Sequence, residues 1–128
     1  PQLRQDFPWL MKQHQNLLAK GRLLGVQFEA AFENGGRVYW GCARNANARA
    51  TQLREGLLAQ GWREWLPSAS NQLFFEVPCA AAAHFVDVLG CEVFFDHGDT
   101  QVVRFVTSWA TTSADVEEAL AFAAGLAR

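Results

Sequence analysis

An arginine stands at the centre of an otherwise apolar stretch, Val102-Val103-Arg104-Phe105-Val106, which has the composition of a β-strand. Strand alternation places Arg104 on the same face as Val102 and Val106. A buried lone charge is costly, so the guanidinium needs an anionic partner. The planar fork of arginine also matches a carboxylate in two parallel hydrogen bonds, which makes it the usual residue for holding the α-carboxylate of an amino acid.

Two kinds of partner are open to Arg104 on this reasoning. The first is an internal ion pair with Asp96, Asp99 or Glu92 on the neighbouring strand. The second is a ligand carboxylate, bound where this face of the strand meets a cavity. The residue pattern alone favours the internal pair.

The other residue types that could do chemistry are scattered. The three cysteines, Cys42, Cys79 and Cys91, are widely separated in apolar surroundings and form no C-x-x-C pair, which is typical of free buried thiols. The three histidines, His14, His84 and His97, do not stand at ligand spacing from a cysteine or carboxylate cluster. The sequence therefore predicts no metal site.

Composition limits the class of protein. The chain has 128 residues, half of them hydrophobic, and its five Trp and ten Phe supply enough volume for the core of one domain. The net charge of -2 offers no basic field for nucleic acid. No apolar run reaches the roughly 20 residues of a membrane helix, and no signal peptide opens the chain, so we expect a cytoplasmic protein. Because the sequence starts at Pro1 without a methionine, we expect it to be a piece of something longer.

The elements that must position Arg104 follow from hydrophobic spacing and breaker residues. Apolar and small residues from Leu10 to Phe32 recur at three- and four-residue steps and predict one helix over about 9–32. Asn34-Gly35-Gly36 breaks it, and residues 37–40 read as a short extended or turn segment. The remaining predicted elements are a helix over 42–60 stopped by Gly61, strands over 62–65 and 71–77, a helix over 78–90, strands over 91–95 and 101–108, and a helix over 112–127 with a capping box from Thr112 to Asp115.

This order of elements predicts the fold class. Two helices come first, and two pairs of strands follow, each pair closed by a helix. Such an order is typical of an α/β fold, more specifically an α+β sandwich. In this fold helices cover a small, mostly antiparallel sheet.

Three stretches, in order, resemble one known family. They are Leu18-Ala19-Lys20-Gly21-Arg22-Leu23-Leu24-Gly25-Val26-Gln27-Phe28, Ser70-Asn71-Gln72-Leu73-Phe74, and Val102-Val103-Arg104-Phe105-Val106-Thr107-Ser108-Trp109-Ala110-Thr111-Thr112 followed by an acidic helix. The last resembles the C-terminal motif of the threonine aldolase and β-eliminating lyase family. The similarity runs from about residue 10 to residue 122.

The resemblance implies the small C-terminal domain of an aspartate-aminotransferase-like (fold type I) enzyme with pyridoxal phosphate as cofactor. Residues 1–36 would be a long helix leading out of a missing large cofactor-binding domain, and residues 37–128 the small domain. The intact enzyme would be a homodimer or homotetramer. By the same resemblance, Arg104 would bind the substrate α-carboxylate and Arg22 would lie near the cofactor phosphate.

One departure from the family is an absence. Family members bind the cofactor through a Schiff-base lysine, but here the lysines are Lys12 and Lys20, both on the first predicted helix, which resembles the segment after that lysine. We therefore expect the catalytic lysine upstream and the fragment alone to be inactive. The intact enzyme would cleave β-hydroxy amino acids to glycine and an aldehyde. The alternatives are a β-eliminating lyase or racemase within the family, or a stand-alone sensor that binds an amino acid or another anion.

Overall fold

The computed structural model describes residues 2–126, which divide into two compact units between Tyr39 and Trp40. The sequence-based boundary of the small domain lay between residues 36 and 37. The helices are α1 (Gln2–Gln13), α2 (Arg22–Ala59), α3 (Cys79–Leu89) and α4 (Ser113–Leu126). The strands are β1 (Arg63–Leu66), β2 (Gln72–Pro78), β3 (Glu92–Asp96) and β4 (Thr100–Val106).

The first unit differs from the single helix predicted over 9–32. Helix α1 ends at Gln13, and turns and irregular backbone connect it to Arg22, where α2 begins. Gln15 adopts a left-handed φ of 55°, which departs from α-helical geometry. The prediction of one helix was wrong because it relied on apolar spacing alone. Polar residues around His14 and the glycine at position 21 lower helix propensity between the two halves of that stripe.

The predicted break after residue 32 is confirmed. Helix α2 leaves helical geometry at Glu33, and the next three residues have positive φ angles of 52°, 73° and 75°. These are Asn34, Gly35 and Gly36, the residue types that adopt left-handed backbone at least cost. The extended segment predicted over 37–40 was wrong, because the helix resumes directly after this short turn.

The last part of α2 has the buried stripe that its sequence predicts. Ala46, Ala50, Leu53 and Leu57 are all buried. The helix stops at Gly61, where a φ of 88° makes glycine the favourable residue, as predicted.

The second unit contains an antiparallel sheet in the order β1-β2-β4-β3. One face of the sheet is buried against helices, and Leu73, Phe75, Val103 and Phe105 join the core with residues from α2, α3 and α4. Gln72, Phe74, Val102 and Arg104 alternate with them and therefore lie on the opposite face. The predicted α+β class with a small antiparallel sheet is thus confirmed.

The ends of the last two helices follow from their sequences. Gly90 caps α3 with a left-handed φ of 64°, and its N–H bonds back into the last turn. The predicted capping box opens α4: the Thr112 N–H donates to Asp115 Oδ2 at 2.8 Å, and the Asp115 N–H donates to Thr112 Oγ1 at 3.2 Å. The predicted end of this helix at Ala127 lies outside the described residues. Over residues 2–126, none of the helices combines the length and apolar character needed to cross a membrane.

Candidate functional site

Arg104 lies near the middle of β4, between two strands that supply its neighbours. It is in register with Phe74 of β2 on one side and with Glu92 of β3 on the other. Its side chain is 31% exposed and lies on the face of the sheet opposite Leu73, Phe75, Val103 and Phe105 of the core. The observed strand pairing confirms that Arg104 shares this face with Val102 and Val106.

The guanidinium has one anionic partner and one neutral one. Nη2 donates to Glu92 Oε2 in an ion pair, and Nη1 is 3.5 Å from Gln72 Oε1. Nε is buried and donates to no acceptor. The structure therefore contains the internal pair with Glu92 that was one of the expected partners, yet this pair uses only part of the donor fork.

A cavity of about 330 Å³ adjoins Arg104 at the end of β4. Strand β3 begins at Glu92, opposite Arg104, so β4 has no partner on this side beyond that point. Glu92, Cys91, Thr111 and Asp115 contribute polar groups to the lining. Apolar side chains complete it: Leu53, Leu89, Phe105, Val116 and Ala119. All of these residues belong to the second unit.

The segment that follows β4 is fixed to helix α2 by one asparagine. Asn45 Nδ2 lies 3.3, 3.1 and 2.9 Å from the carbonyl oxygens of Ser108, Trp109 and Thr111. The segment also closes on itself, because the Ser108 N–H donates to Thr111 Oγ1 at 2.9 Å. These bonds fix the cavity wall that follows Arg104 along the chain.

The end of β4 is held in the same way from inside. The buried hydroxyl of Thr107 donates to the Ala46 carbonyl at 2.7 Å. Asn71 Nδ2 donates to the Thr107 carbonyl at 2.8 Å, and the Thr107 N–H donates to the Asn71 carbonyl at 3.0 Å. Because Arg104 is three residues before Thr107, these bonds also fix the strand that carries it.

Two titratable groups in the cavity lining have shifted pKa values. Burial raises the pKa of the Cys91 thiol to about 11, which makes it a poor nucleophile at neutral pH. The backbone and side-chain hydrogen bonds from Thr112 lower the pKa of Asp115. Asp115 is therefore ionised at neutral pH and is engaged as a helix cap.

The other predicted site residue lies in the first unit. Arg22 is the first residue of α2 and is exposed. Lys20, in the turn before it, and Lys12, at the end of α1, are also exposed. Lys12 Nζ is 5.5 Å from the centre of the Trp9 ring, a surface cation–π contact.

Two residues of the site were not predicted. Gln72 contacts Arg104 and Asn45 holds the segment after β4, and neither stood out in the sequence. The alternation of Gln72 with Leu73 placed it on the polar face, but its contact depends on strand register, which alternation does not specify. Nothing within residues 2–126 groups three His, Cys, Asp or Glu side chains in a way that could hold a metal ion.

Comparison with solved structures finds similar chains. A solved threonine aldolase structure from Leishmania major superposes with a TM-score of 0.78 and is 32% identical in sequence. The match covers 94% of this chain and 35% of that chain, so this chain spans about a third of the solved one. No protein-family model and no curated protein matches. The chain thus has the fold of the small C-terminal domain of a threonine aldolase, and the resemblance noted in its sequence is confirmed.

Proposed function

We propose that this chain, with the fold of a threonine aldolase C-terminal domain, is the C-terminal part of a pyridoxal-phosphate-dependent lyase. The intact enzyme cleaves β-hydroxy amino acids to glycine and an aldehyde. The observation that carries the proposal is the combination of 32% identity with a TM-score of 0.78 over 94% of the chain. The proposed enzyme is cytoplasmic and a homodimer or homotetramer, which are predictions from the sequence and its resemblance.

In this proposal Arg104 binds the substrate α-carboxylate. A carboxylate that bonds to two nitrogens of one guanidinium is fixed in direction as well as in position. That direction decides which bond at Cα faces the cofactor, and therefore which bond breaks. The partly exposed guanidinium and the incomplete use of its Nη1 donor support this assignment.

The second unit lacks a lysine that could carry the cofactor. Lys12 and Lys20 of the first unit are exposed. The lysine that carries the cofactor therefore belongs to the large domain. When bound, pyridoxal phosphate supplies an electron sink for breaking a bond at Cα. We expect this chain alone to have no aldolase activity.

Arg22 is the residue proposed to contact the cofactor phosphate. It is exposed at the start of α2, where the free N–H groups of the first turn also favour an anion. The assignment depends on the resemblance of residues 18–28 to the family.

The test combines cofactor mapping with one substitution in the intact protein. Borohydride reduction followed by mass spectrometry should find a pyridoxyl group on a lysine of the large domain. Arg104→Lys should weaken L-threonine binding and reduce reaction specificity, because a point charge cannot reproduce the two-point contact. Arg63→Lys is the matched control, since Arg63 pairs with Glu76 at 2.9 Å on the neighbouring part of the sheet. Unmodified lysines, or equal kinetics for both variants, would refute the proposal.

A stand-alone amino-acid or anion sensor is the second candidate. It is favoured by the cavity beside Arg104, which the second unit builds from its own residues. Calorimetric titration of the 128-residue chain with glycine and L-threonine, without cofactor, separates the two candidates. Micromolar binding by this chain alone would favour the sensor.

A further inference from the structure

Glu92 holds the guanidinium group that the proposed substrate needs. Its carboxylate pairs with Nη2 of Arg104 through a single oxygen. Nη1 has only the distant amide oxygen of Gln72, at 3.5 Å. Nε is buried and has no acceptor. A buried donor without an acceptor is unfavourable, so the present arrangement leaves part of the binding capacity of Arg104 unused.

Another arginine of the same unit shows what a fully used pair looks like. Arg54 Nε and Nη2 each donate to one oxygen of Glu64 at 2.6 Å. The Glu64 side chain is 8% exposed, whereas that of Glu92 is 66% exposed. The first pair has the geometry of a permanent link between α2 and β1. The second has one contact and a solvated carboxylate at the start of an edge strand.

We propose that Glu92 is a resident competitor: its carboxylate occupies Arg104 in the free protein and is displaced by the α-carboxylate of the ligand. The exchange is favourable for a ligand that bonds to both Nη1 and Nη2, because Glu92 bonds to Nη2 alone and Nη1 has only the distant amide oxygen of Gln72. Glu92 then returns to water, which its exposure permits. An amine without a carboxylate gains nothing from the exchange. Glu92 therefore lowers the affinity for carboxylate ligands at Arg104 and, among them, favours those that bond to two nitrogens of the guanidinium. The identity of the ligand as an amino acid rests on the proposed function.

No other carboxylate in the cavity lining is free to take this role. Asp115 accepts the hydrogen bonds that cap α4. Asp96, the other strand carboxylate considered for Arg104, accepts bonds from Gly98 and Gln101. Among the described residues, Glu92 is thus the carboxylate that pairs with Arg104.

The experiment measures glycine binding to the intact protein by calorimetry, together with KM and kcat for L-threonine. Glu92→Gln keeps the size of the side chain and removes its charge. Glycine must break the exposed ion pair between Glu92 and Arg104 before it binds, and such a pair contributes little free energy. Removing the pair should therefore tighten glycine binding by only about two- to fivefold. The KM for L-threonine should fall by the same factor with kcat retained. Glu92→Ala should act in the same direction.

Two controls isolate the exchange from general electrostatics. Glu118→Gln removes the same charge from an exposed position on α4 and should leave glycine binding unchanged. Glycinamide, which has the amine but no carboxylate, should bind equally to the unsubstituted protein and to Glu92→Gln. Equal tightening by Glu118→Gln, or tightening of glycinamide, would show a general charge effect and overturn the proposal.

The outcomes for the two proposals differ. If L-threonine is cleaved and Arg104→Lys raises KM, but Glu92→Gln leaves glycine binding unchanged or weaker, the aldolase proposal stands and the competitor is refuted. If L-threonine is not cleaved but Glu92→Gln tightens glycine binding, the competitor stands and the aldolase proposal falls. Absence of glycine binding to the unsubstituted protein would refute the competitor.

Discussion

Cys91 provides a direct test of the environment beside Arg104. Burial raises its pKa from the ordinary value of 9.0 to about 11. Because of this higher pKa, the thiolate fraction at pH 8 falls from about one in ten to about one in a thousand. Only the thiolate reacts with an alkylating reagent. We therefore expect iodoacetamide to modify Cys91 about 100-fold more slowly in the folded chain than in the unfolded chain.

The assay is peptide mapping by mass spectrometry after timed alkylation from pH 7 to 11, with and without urea. The unfolded chain is the control, because it contains the same cysteine with an ordinary environment. Steric shielding alone would lower the rate equally at every pH, whereas a shifted pKa moves the midpoint of the rate profile upward by about two pH units. The same midpoint in the folded and the unfolded chain would refute a raised pKa at Cys91.

The same shift makes a statement about stability. Below pH 9 the thiol is protonated in both states, so Cys91 adds no pH dependence. Between pH 9 and 11 the unfolded chain loses the proton and the folded chain keeps it, so the free energy of unfolding falls, by at most about 1.4 kcal/mol per pH unit. Cys91→Ala should remove this component from urea unfolding curves measured across that range.

Two further predictions concern the elements that support the site, and both are checked by urea unfolding. An ideal Cβ on Gly56 would lie 2.4 and 2.5 Å from the two methyl carbons of Leu120, so Gly56→Ala should lower stability by about 1 kcal/mol after the gain in helix propensity. An ideal Cβ on Gly41 has nothing within 4 Å, so Gly41→Ala should instead raise stability by about 0.5–1 kcal/mol. Equal effects at the two positions would contradict the steric argument. Thr107→Val removes the buried hydroxyl that bonds to α2 and should lower stability by about 1 kcal/mol. Thr107→Ser keeps the hydroxyl and should lower stability less. Identical losses would show that the hydroxyl is not the cause.

The elements of the second unit could largely be predicted because each has its own local signal. The strands alternate apolar and polar residues, Gly61 and Gly90 end helices through left-handed backbone, and the capping box from Thr112 to Asp115 opens the last one. These signals depend on residues close together in the chain. They are therefore present in the sequence whatever the tertiary structure is.

What could not be predicted depends on contacts between distant residues. Gly56 of α2 approaches Leu120 of α4 closely. In the sequence, nothing near Gly56 indicates that this helix position must be a glycine. The contact of Gln72 with Arg104 depends on how β2 is aligned with β4. The break between α1 and α2 had weak local signals that a continuous apolar stripe outweighed. In each case the deciding information is a packing or register choice that short-range patterns leave open.

Arg54 and Arg104 of the second unit show why a site residue is harder to predict than an element. In the sequence each is a charged residue on an element that has a buried face. In the structure, Arg54 is bound through two nitrogens to a nearly buried glutamate, while Arg104 is bound through one nitrogen to a solvated glutamate. The free energy of exchange with a ligand carboxylate depends on two quantities, the number of hydrogen bonds that the glutamate must break and the solvation that it regains on release. In Arg104 both quantities follow from the edge position of β3, which leaves Glu92 in solvent, so the proposed exchange depends on the sheet edge as well as on the arginine.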